Sequence, residues 1–411
     1  MAPTTDPAES EAEQARWLSR PVAGIGTASF LADVGHEIPT ALLPSLLTST
    51  LGAPAVVLGL IEGISDALAG GARFVGGALA DDPRRRRRIA VGGYASTAVL
   101  AALTGAAGAA WQVGVLRAGA WAARGLRVPA RNALLADVVP ASAYGRAYGF
   151  ERMMDNLGAI VGPLLALVLV ATLGVRAAIG LSVIPGLLAA VAIIYAIRHT
   201  ARSRERDRVP LRLRIRPVMQ GKLGRLIAAA AVFEVGNVAA TLLILRATDL
   251  LRPGYGATAA TTLALALYTL YNVAATVASL PAGRTADRLG SRGPVLVFLA
   301  GALVFAAAYV GFAFPITNLV LLGIPFLAAG LAIGCVETAQ HSAVAALAPA
   351  GIRGAAFGLL ATVQAIGNFA ASAGAGLLWT TVSATAAFSY LAGWMAVASV
   401  LLLFLKPFRR T

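Results

Sequence analysis

The 411-residue chain holds a single cysteine, Cys335, so it can form no internal disulfide, and a stapled secreted scaffold is excluded. Charge is equally scarce. Only 13% of the residues are charged, against about 25% in soluble domains, which excludes both an ordinary soluble enzyme and a disordered chain. Lysine is reduced to Lys222 and Lys406. No Gly-x-x-x-x-Gly-Lys phosphate loop is present, so ATP is not consumed by this chain. His-Glu-x-x-His, Cys-x-x-Cys and Gly-x-Ser-x-Gly are missing too, so neither metal nor cofactor is expected and enzyme chemistry has no nucleophile motif to stand on.

What the chain has instead is apolar length, with 58% hydrophobic residues. A membrane-spanning helix needs about 20 of them in a row. Twelve such spans start near Val22, Ala53, Ile89, Val113, Tyr148, Ala177, Arg225, Ala257, Pro294, Asn318, Gly354 and Ala384. Residues 1–20 carry Asp6, Glu9, Glu11 and Glu13 and lack a basic head before an apolar core, so no signal peptide is expected there. The formal net charge of +15 sits in short gaps between the spans, which argues for membrane topology and against nucleic acid. One set of alternate gaps holds Arg16, Arg20, Arg84 to Arg88, Arg146, Arg198 to Arg225, Arg284, Arg288, Arg292, Arg353, Lys406, Arg409 and Arg410; the other holds only Arg176, Arg246 and Arg252. Positive residues stay inside, which predicts an inner-membrane protein with both termini cytoplasmic. The organisation expected is a tail (1–20), a six-span half (21–197), a basic linker (198–222), a second half (223–405) and a short tail (406–411). In the linker, Leu211-Arg212-Leu213-Arg214-Ile215-Arg216 alternates apolar with basic and suits either solvent or an anionic leaflet.

The two halves repeat each other. Gly77-Ala-Leu-Ala-Asp81 and Gly283-Arg-Thr-Ala-Asp287 lie 206 positions apart; Gly145-Arg-Ala-Tyr-Gly149 and Gly354-Ala-Ala-Phe-Gly358 lie 209 apart. A duplicated six-helix unit is the mark of a secondary transporter whose site lies between the repeats. Gly283-x-x-x-Asp287-Arg288-Leu289-Gly290-x-Arg292 resembles the signature loop of the major facilitator superfamily, and Gly77 to Asp81 followed by Arg84 to Arg88 is similar to its first-half copy. Leu116-Arg117, Pro129 and Ala133 to Asp137 resemble the family's fourth helix. Gly158-x-x-x-Gly162-Pro163 resembles the fifth-helix motif of proton antiporters, without its trailing glycine pair. The resemblance covers the whole chain. It implies an all-α membrane protein of twelve helices in two pseudo-symmetric halves, a monomer among lipid, moving a small molecule by alternating access. It also implies a latch in which Asp81, Arg85 and Asp137, with Asp287 and Arg288 in the second half, hold one conformation by capping a neighbouring helix. Position 346 is Ala and 291 is Ser, so the first-half latch is expected to be the stronger.

Ionisable residues inside spans are the informative ones. Eight of the 19 acids qualify: Asp33, Glu37, Glu62, Asp66, Glu151, Asp155, Glu234 and Glu337. Facing lipid, they would cost on the order of 20 kcal/mol together, so they must face one another or a wet cleft. Asp33, His36 and Glu37 share one face of span one and form a candidate proton site, or else a locked charge cluster. Arg117, Arg124, Arg127 and Arg131 fall within an arc of about 80° on span four. The family places spans one, four, seven and ten around the cavity, so Arg124 and Arg127 are expected opposite Asp33 and Glu37, as gate partners or as ligands for an anion. Glu62, Asp66 and Arg73 on span two are expected to couple or pack, and Arg152 and Asp155 to pair locally. Glu234 with Asn237, and Glu337 with only His341 near it in sequence, are further candidates for proton or cation binding. Trp121, Tyr268, Tyr271 and Asn272 supply a possible amphipathic wall. The function expected is proton-coupled export of a drug-like or amphipathic metabolite. Proton-coupled import of an anionic metabolite stays open, and a membrane-embedded enzyme or lipid translocase is the alternative that the two loops oppose.

Overall fold

A computed structural model describes residues 17–200 and 215–405; the N-terminal tail, most of the basic linker and the last six residues, with the expectations attached to them, lie outside the described residues. Twelve helical spans follow in order. The first six are α1 (Arg20–Ser45), α2 (Ala55–Ala80), α3 (Pro83–Leu103), α4 (Ala110–Val138), α5 (Tyr144–Leu173) and α6, which breaks at Ser182 into Val175–Leu181 and Val183–Arg198. The second six are α7, interrupted over 237–239 between Gly221–Gly236 and Ala240–Tyr255, then α8 (Ala257–Arg288), α9 (Gly293–Ala313), α10 (Leu319–Leu347), α11 (Arg353–Thr381) and α12 (Ala384–Leu403). No strand occurs among the described residues.

The boundaries follow local chemistry. Asp82, Asn318 and Ser383 cap helices through their side chains, and proline occupies the first turn of α1, α3 and α9, where its missing N–H costs nothing. Gly174 (φ 81°) and Gly256 (φ 79°) make the sharp α5–α6 and α7–α8 turns that only glycine adopts without strain. Arg176 donates to the carbonyls of Gly105 and Ala107, and Arg246 to those of Phe312, Ala313 and Phe314. These two arginines of the sparsely basic side thus close helix ends.

Within the first half α1 packs on α5 and α6, α2 on α4, and α3 on α4 and α6; in the second, α7 packs on α11 and α12, α8 on α10, and α9 on α10 and α12. The halves meet along α5–α8 and α2–α11. Nine of the twelve spans are long and apolar enough to cross a membrane by length and composition; the other three are α1, α2 and α4. Those three carry Asp33, His36, Glu37, Glu62, Asp66, Arg73, Arg117, Arg124, Arg127 and Arg131, so apolarity is lowest where the spans bring ions together.

The halves come backbone to backbone at the end bearing the α2–α3 and α8–α9 loops. A Cβ on Gly77 would lie 2.7 Å from the Gly354 carbonyl oxygen and 2.7 Å from the Gly358 Cα, and Gly145 and Gly283 are equally bare against each other. Beyond Gly70 the helices part: Gly59, Gly63 and Gly376 have nothing within 4 Å, and Leu60, Ile64, Ile366 and Phe369 are exposed. The halves are therefore closed against each other at the loop end, while these positions of α2 and α11 toward the far end have no neighbour against them.

Candidate functional site

The closed end is held by carboxylates on helix N-termini. Asp81 accepts from the Ala355 N–H at 3.0 Å, on the first turn of α11. Asp287 accepts from the N–H groups of Gly145 (2.7 Å) and Arg146 (2.9 Å) and from Arg146 Nε (2.9 Å), on the first turn of α5. Asp137 joins Arg86 to Arg353 (3.2 Å). Two expectations are corrected here. Arg86, not Arg85, reaches Asp137: Asp82 caps α3 and keeps exposed Arg85 at 3.6 Å, while the next residue turns inward to Asp137 and the Ala80 carbonyl. Arg146, not Arg288, partners Asp287, because Arg288 lies exposed on the outer side of the last turn of α8. The second-half latch is also complete without an acid at position 346.

Above the latch lies a network centred on α4. Arg131 is buried among Ser29 Oγ (2.7 Å), Glu151 (2.9 Å) and Asp155 (3.3 Å). Arg152 binds Glu151 through two nitrogens (2.7 and 2.8 Å) and Asp155 at 3.1 Å, and lies 3.9 Å from Glu337 of the other half. Glu337 is therefore not unpaired; its cation comes from α5. His341 turns its Nδ1 to the Glu337 backbone carbonyl (2.7 Å) and packs between Tyr148 and Phe357, away from the Glu337 carboxylate.

Arg124 meets Asp33 at 3.2 Å and contacts the His36 ring nitrogen Nε2. Arg127 departs from expectation. It turns toward α3, where its guanidinium carbon sits 4.0 Å from the Tyr94 ring centre, because Gly93 leaves room for its side chain there. Glu37 has no arginine within 4.0 Å; its neighbour is His36 at 4.0 Å. Asp33 also has a second acid beside it, Asp155 of α5, one turn before the glycine that packs on Asp33. Two carboxylates so placed resist double ionisation. The fifth-helix glycines explain the juxtaposition. A Cβ at Gly158 would lie 2.6 Å from the Phe30 carbonyl and 2.9 Å from the Asp33 Cβ, and Gly162 sits against Val34 and Glu37, so α1 and α5 approach backbone to backbone with Pro163 a residue further on.

The α2 acids join the site directly, where only coupling or packing was expected. Glu62 binds Arg117 (2.9 Å), which also donates to Thr40 (3.1 Å) and lies 3.3 Å above the Trp121 ring; Asp66 accepts from Trp121 Nε1 at 2.9 Å. Trp121 in turn lies 4.3 Å from the His36 ring. In the second half, Glu234 is caged by amides, Asn237 at 2.9 Å and Gln340 at 3.2 Å, with Gln364 behind (2.7 Å to Gln340). The interrupted backbone of α7 beside it is held by Tyr309, Ser372 and Asn368. Tyr268 and Tyr271 stack at 5.7 Å on α8, whereas Asn272 donates within its own helix to the Tyr268 carbonyl. Sequence reasoning missed Ser29, Thr40, Gln340 and Gln364: uncharged residues give no signal in a span, and only the helix-face arithmetic that grouped Asp33 with Glu37 could have reached Ser29, one turn earlier.

The Major Facilitator Superfamily model matches residues 25–372 and 255–411. An uncharacterized MFS-type transporter of Methanocaldococcus jannaschii is 28% identical over 402 residues, covering 96% of each chain. An uncharacterized protein of Mycobacterium tuberculosis is 30% identical over 364 residues, covering 87% of this chain and 85% of the relative. Among solved structures, a bacterial homologue of the iron transporter ferroportin in an outward-facing state aligns with a TM-score of 0.73 at 14% identity over 94% of this chain and 99% of that one. The human organic anion transporter MFSD10 aligns at 0.71 and 16% over 93% and 99%. The proton:xylose symporter XylE aligns at 0.66 and 14% over 94% and 96%. With two half-chain copies of the loop latch, a twelve-helix fold and the family model matched along its length, the chain belongs to the major facilitator superfamily and is a secondary transporter.

Proposed function

We propose that the chain is a proton-coupled transporter of amphipathic small molecules, working by alternating access as a monomer in the cytoplasmic membrane. The observation that carries the proton coupling is Asp33, which pairs with Arg124 of α4 and has Asp155 of α5 beside it, at the floor of a solute cleft that we place between the halves on the side away from the loops. A proton held between Asp33 and Asp155 removes a charge from the Arg124 contact, and its loss restores that charge, so proton occupancy and side-chain pairing across α1, α4 and α5 are linked. His36 and Glu37 extend the site toward the cleft, and Glu234 and Glu337 are second-half acids available to the same cycle. Trp121, Tyr268 and Tyr271 supply apolar walls with polar edges, which suits an amphipathic solute. Rocking of the halves 21–197 and 223–405, joined by the linker 198–222, would break the Asp81, Asp137 and Asp287 contacts and open the loop end. The concentration of arginine in the loops of that end supports placing it, with both termini, in the cytoplasm. Gly158 and Gly162 serve α1–α5 packing, so the fifth-helix motif supports no direction by itself.

The test is reconstitution in liposomes with a trapped pH-sensitive dye. Addition of a transported solute from a panel of aromatic acids, amines and alcohols should move protons in the parent. Asp33→Asn should retain solute exchange at equal pH while losing gradient-driven accumulation. Accumulation surviving in Asp33→Asn, or transport without proton movement in the parent, would remove proton coupling at this site.

A further inference from the structure

Resting on that reading, we propose that the solute carries an anionic head, received by Arg124 in the cleft, and that it crosses together with a proton. The inference starts from an imbalance along α4. Of its four interior arginines, Arg131 is spent on Ser29, Glu151 and Asp155, and Arg117 on Glu62, Thr40 and the Trp121 ring. Arg124 differs. Its side chain is 25% exposed, the most open of the four, and Asp33 is its one carboxylate, reached through a single nitrogen. Arg127, a turn deeper and 2% exposed, has no carboxylate within 4.0 Å among the described residues, and its Nε and Nη1 have no hydrogen-bond partner among them. Buried guanidinium groups do not shed their charge and call for an anion.

The anion that the chain could offer is diverted. Asp33 has Asp155 of α5 beside it, held ionised by Arg131 and Arg152, and two neighbouring carboxylates resist double ionisation, so Asp33 is the one that takes up a proton. With the proton in place Asp33 no longer neutralises Arg124, whose planar fork is then open to a second carboxylate, sulfonate or phosphate head. The walls fit the rest of such a molecule: the Trp121 ring lies between Arg117 and His36, and the stacked Tyr268–Tyr271 pair belongs to the facing half. Glu37, 27% exposed beside His36 and without an arginine, adds a second linkage, because its ionised form repels an incoming anion and its protonated form does not.

The groups around Asp33 act in one sense. From α1 come His36 and Glu37, from α4 Arg124, Arg127 and Arg131, from α5 Glu151, Arg152 and Asp155, and from α3 Tyr94; the two arginines of α6, Arg176 and Arg198, stand at its ends. Deprotonation of Asp33 or Glu37 adds a competitor or a repeller for the solute's head; protonation removes it. Proton and anion thus favour each other's binding, which describes cotransport, directed inward when the proton gradient is inward.

Binding to the purified full-length protein decides this with three probes of one shape, naphthoate, naphthylmethylamine and naphthylmethanol, each titrated under mildly acidic and mildly alkaline conditions. The anion alone should bind saturably, weakening with rising pH by up to about tenfold per unit where one linked proton is lost. Arg124→Gln should weaken naphthoate by at least about tenfold at every pH. Asp33→Asn and Glu37→Gln should hold its affinity near the acidic value across the range. Equal binding of the amine or alcohol, pH-independent naphthoate binding in the parent, or an Arg124→Gln protein that binds normally would overturn the proposal. Should Arg124→Gln not fold, the Asp33→Asn and Glu37→Gln profiles still decide. Naphthoate uptake in liposomes without proton movement, but dependent on Arg124, would leave the anion site standing and sink the coupling; proton flux driven by the amine or alcohol would do the reverse.

Discussion

Asp287→Asn tests the latch where its geometry is fullest. The carboxylate takes three donors from the first turn of α5, at 2.7, 2.9 and 2.9 Å, and every one of them crosses from one half to the other. These bonds exist only while the loop end is closed, so their loss is felt by one conformation and not by the other. Asparagine keeps one acceptor oxygen, loses the charge, and points an NH2 group at N–H donors. A hydrogen bond to a charged group contributes about 1.5–3 kcal/mol when buried. The pair is largely but not fully buried, so some of the loss is recovered by water, and about 2 kcal/mol is a fair net value. At about 1.4 kcal/mol per tenfold, the equilibrium should move roughly thirtyfold toward the state with an open loop end. Spin labels on Arg88→Cys, exposed in the second turn of α3, and Arg292→Cys, exposed just before α9, in a Cys335→Ser background, would report it as a second, longer distance population. A distance distribution indistinguishable from the parent's would refute the reasoning, since a contact present in both states cannot bias either.

Four further outcomes follow from the same geometry. Gly77→Leu places a side chain where 2.7 Å separates a Cβ from Gly354 and Gly358, so the same labels should show the closed form depleted while the protein still folds. Arg131→Met leaves Glu151 and Asp155 each short of a buried cation and should cost about 3–5 kcal/mol, read as a sharply lowered melting temperature that Glu151→Gln partly restores. In a double-mutant cycle, Arg124→Gln and Asp33→Asn should couple by more than about 1 kcal/mol, whereas Arg127→Gln and Asp33→Asn should be additive; the reverse pattern in thermal stability would mean that Arg127 is the working partner. Gly158→Leu should force α1 off α5 and separate Asp33 from Asp155, abolishing proton movement in liposomes while Gly59→Leu, in open space, leaves it intact.

Much of this was legible in the sequence because membrane helices must announce themselves. Twelve apolar runs, two loop copies 206 positions apart and the carboxylates Asp81 and Asp287 follow from length, repetition and charge. What was not legible is which neighbour each helix face meets. Arg124 and Arg127 fall in the same narrow arc, yet one turns to Asp33 and the other to Tyr94, and the difference is Gly93 on another helix making room. Asp155 looked like a local partner of Arg152; it is also the residue against Asp33, because Gly158 removes the side chain that would have kept α1 away. Arg85 and Arg86 are adjacent in a run of five arginines, and only the capping of α3 by Asp82 decides which of them turns inward.

The two halves share a frame but not a chemistry. Asp81 and Asp287 occupy matching positions, and both interfaces are lined with bare glycine, so neither side of the hinge is favoured by bulk. Six interior arginines, Arg73, Arg117, Arg124, Arg127, Arg131 and Arg152, belong to the first half, and Arg124 among them pairs with Asp33. Glu234, at the counterpart position in α7, is buried and held by the amides of Asn237 and Gln340 rather than by a cation. Contact between the two charge systems comes through Arg152 and Glu337, 3.9 Å apart across the cleft floor. A proton arriving at Asp33–Asp155 changes how strongly Asp155 holds Arg152, and therefore how firmly Arg152 holds Glu337 of the other half. Site occupancy and the closed end are joined by that contact, and Glu337→Gln should uncouple them: probe binding should survive while the pH dependence of the loop-end distance disappears.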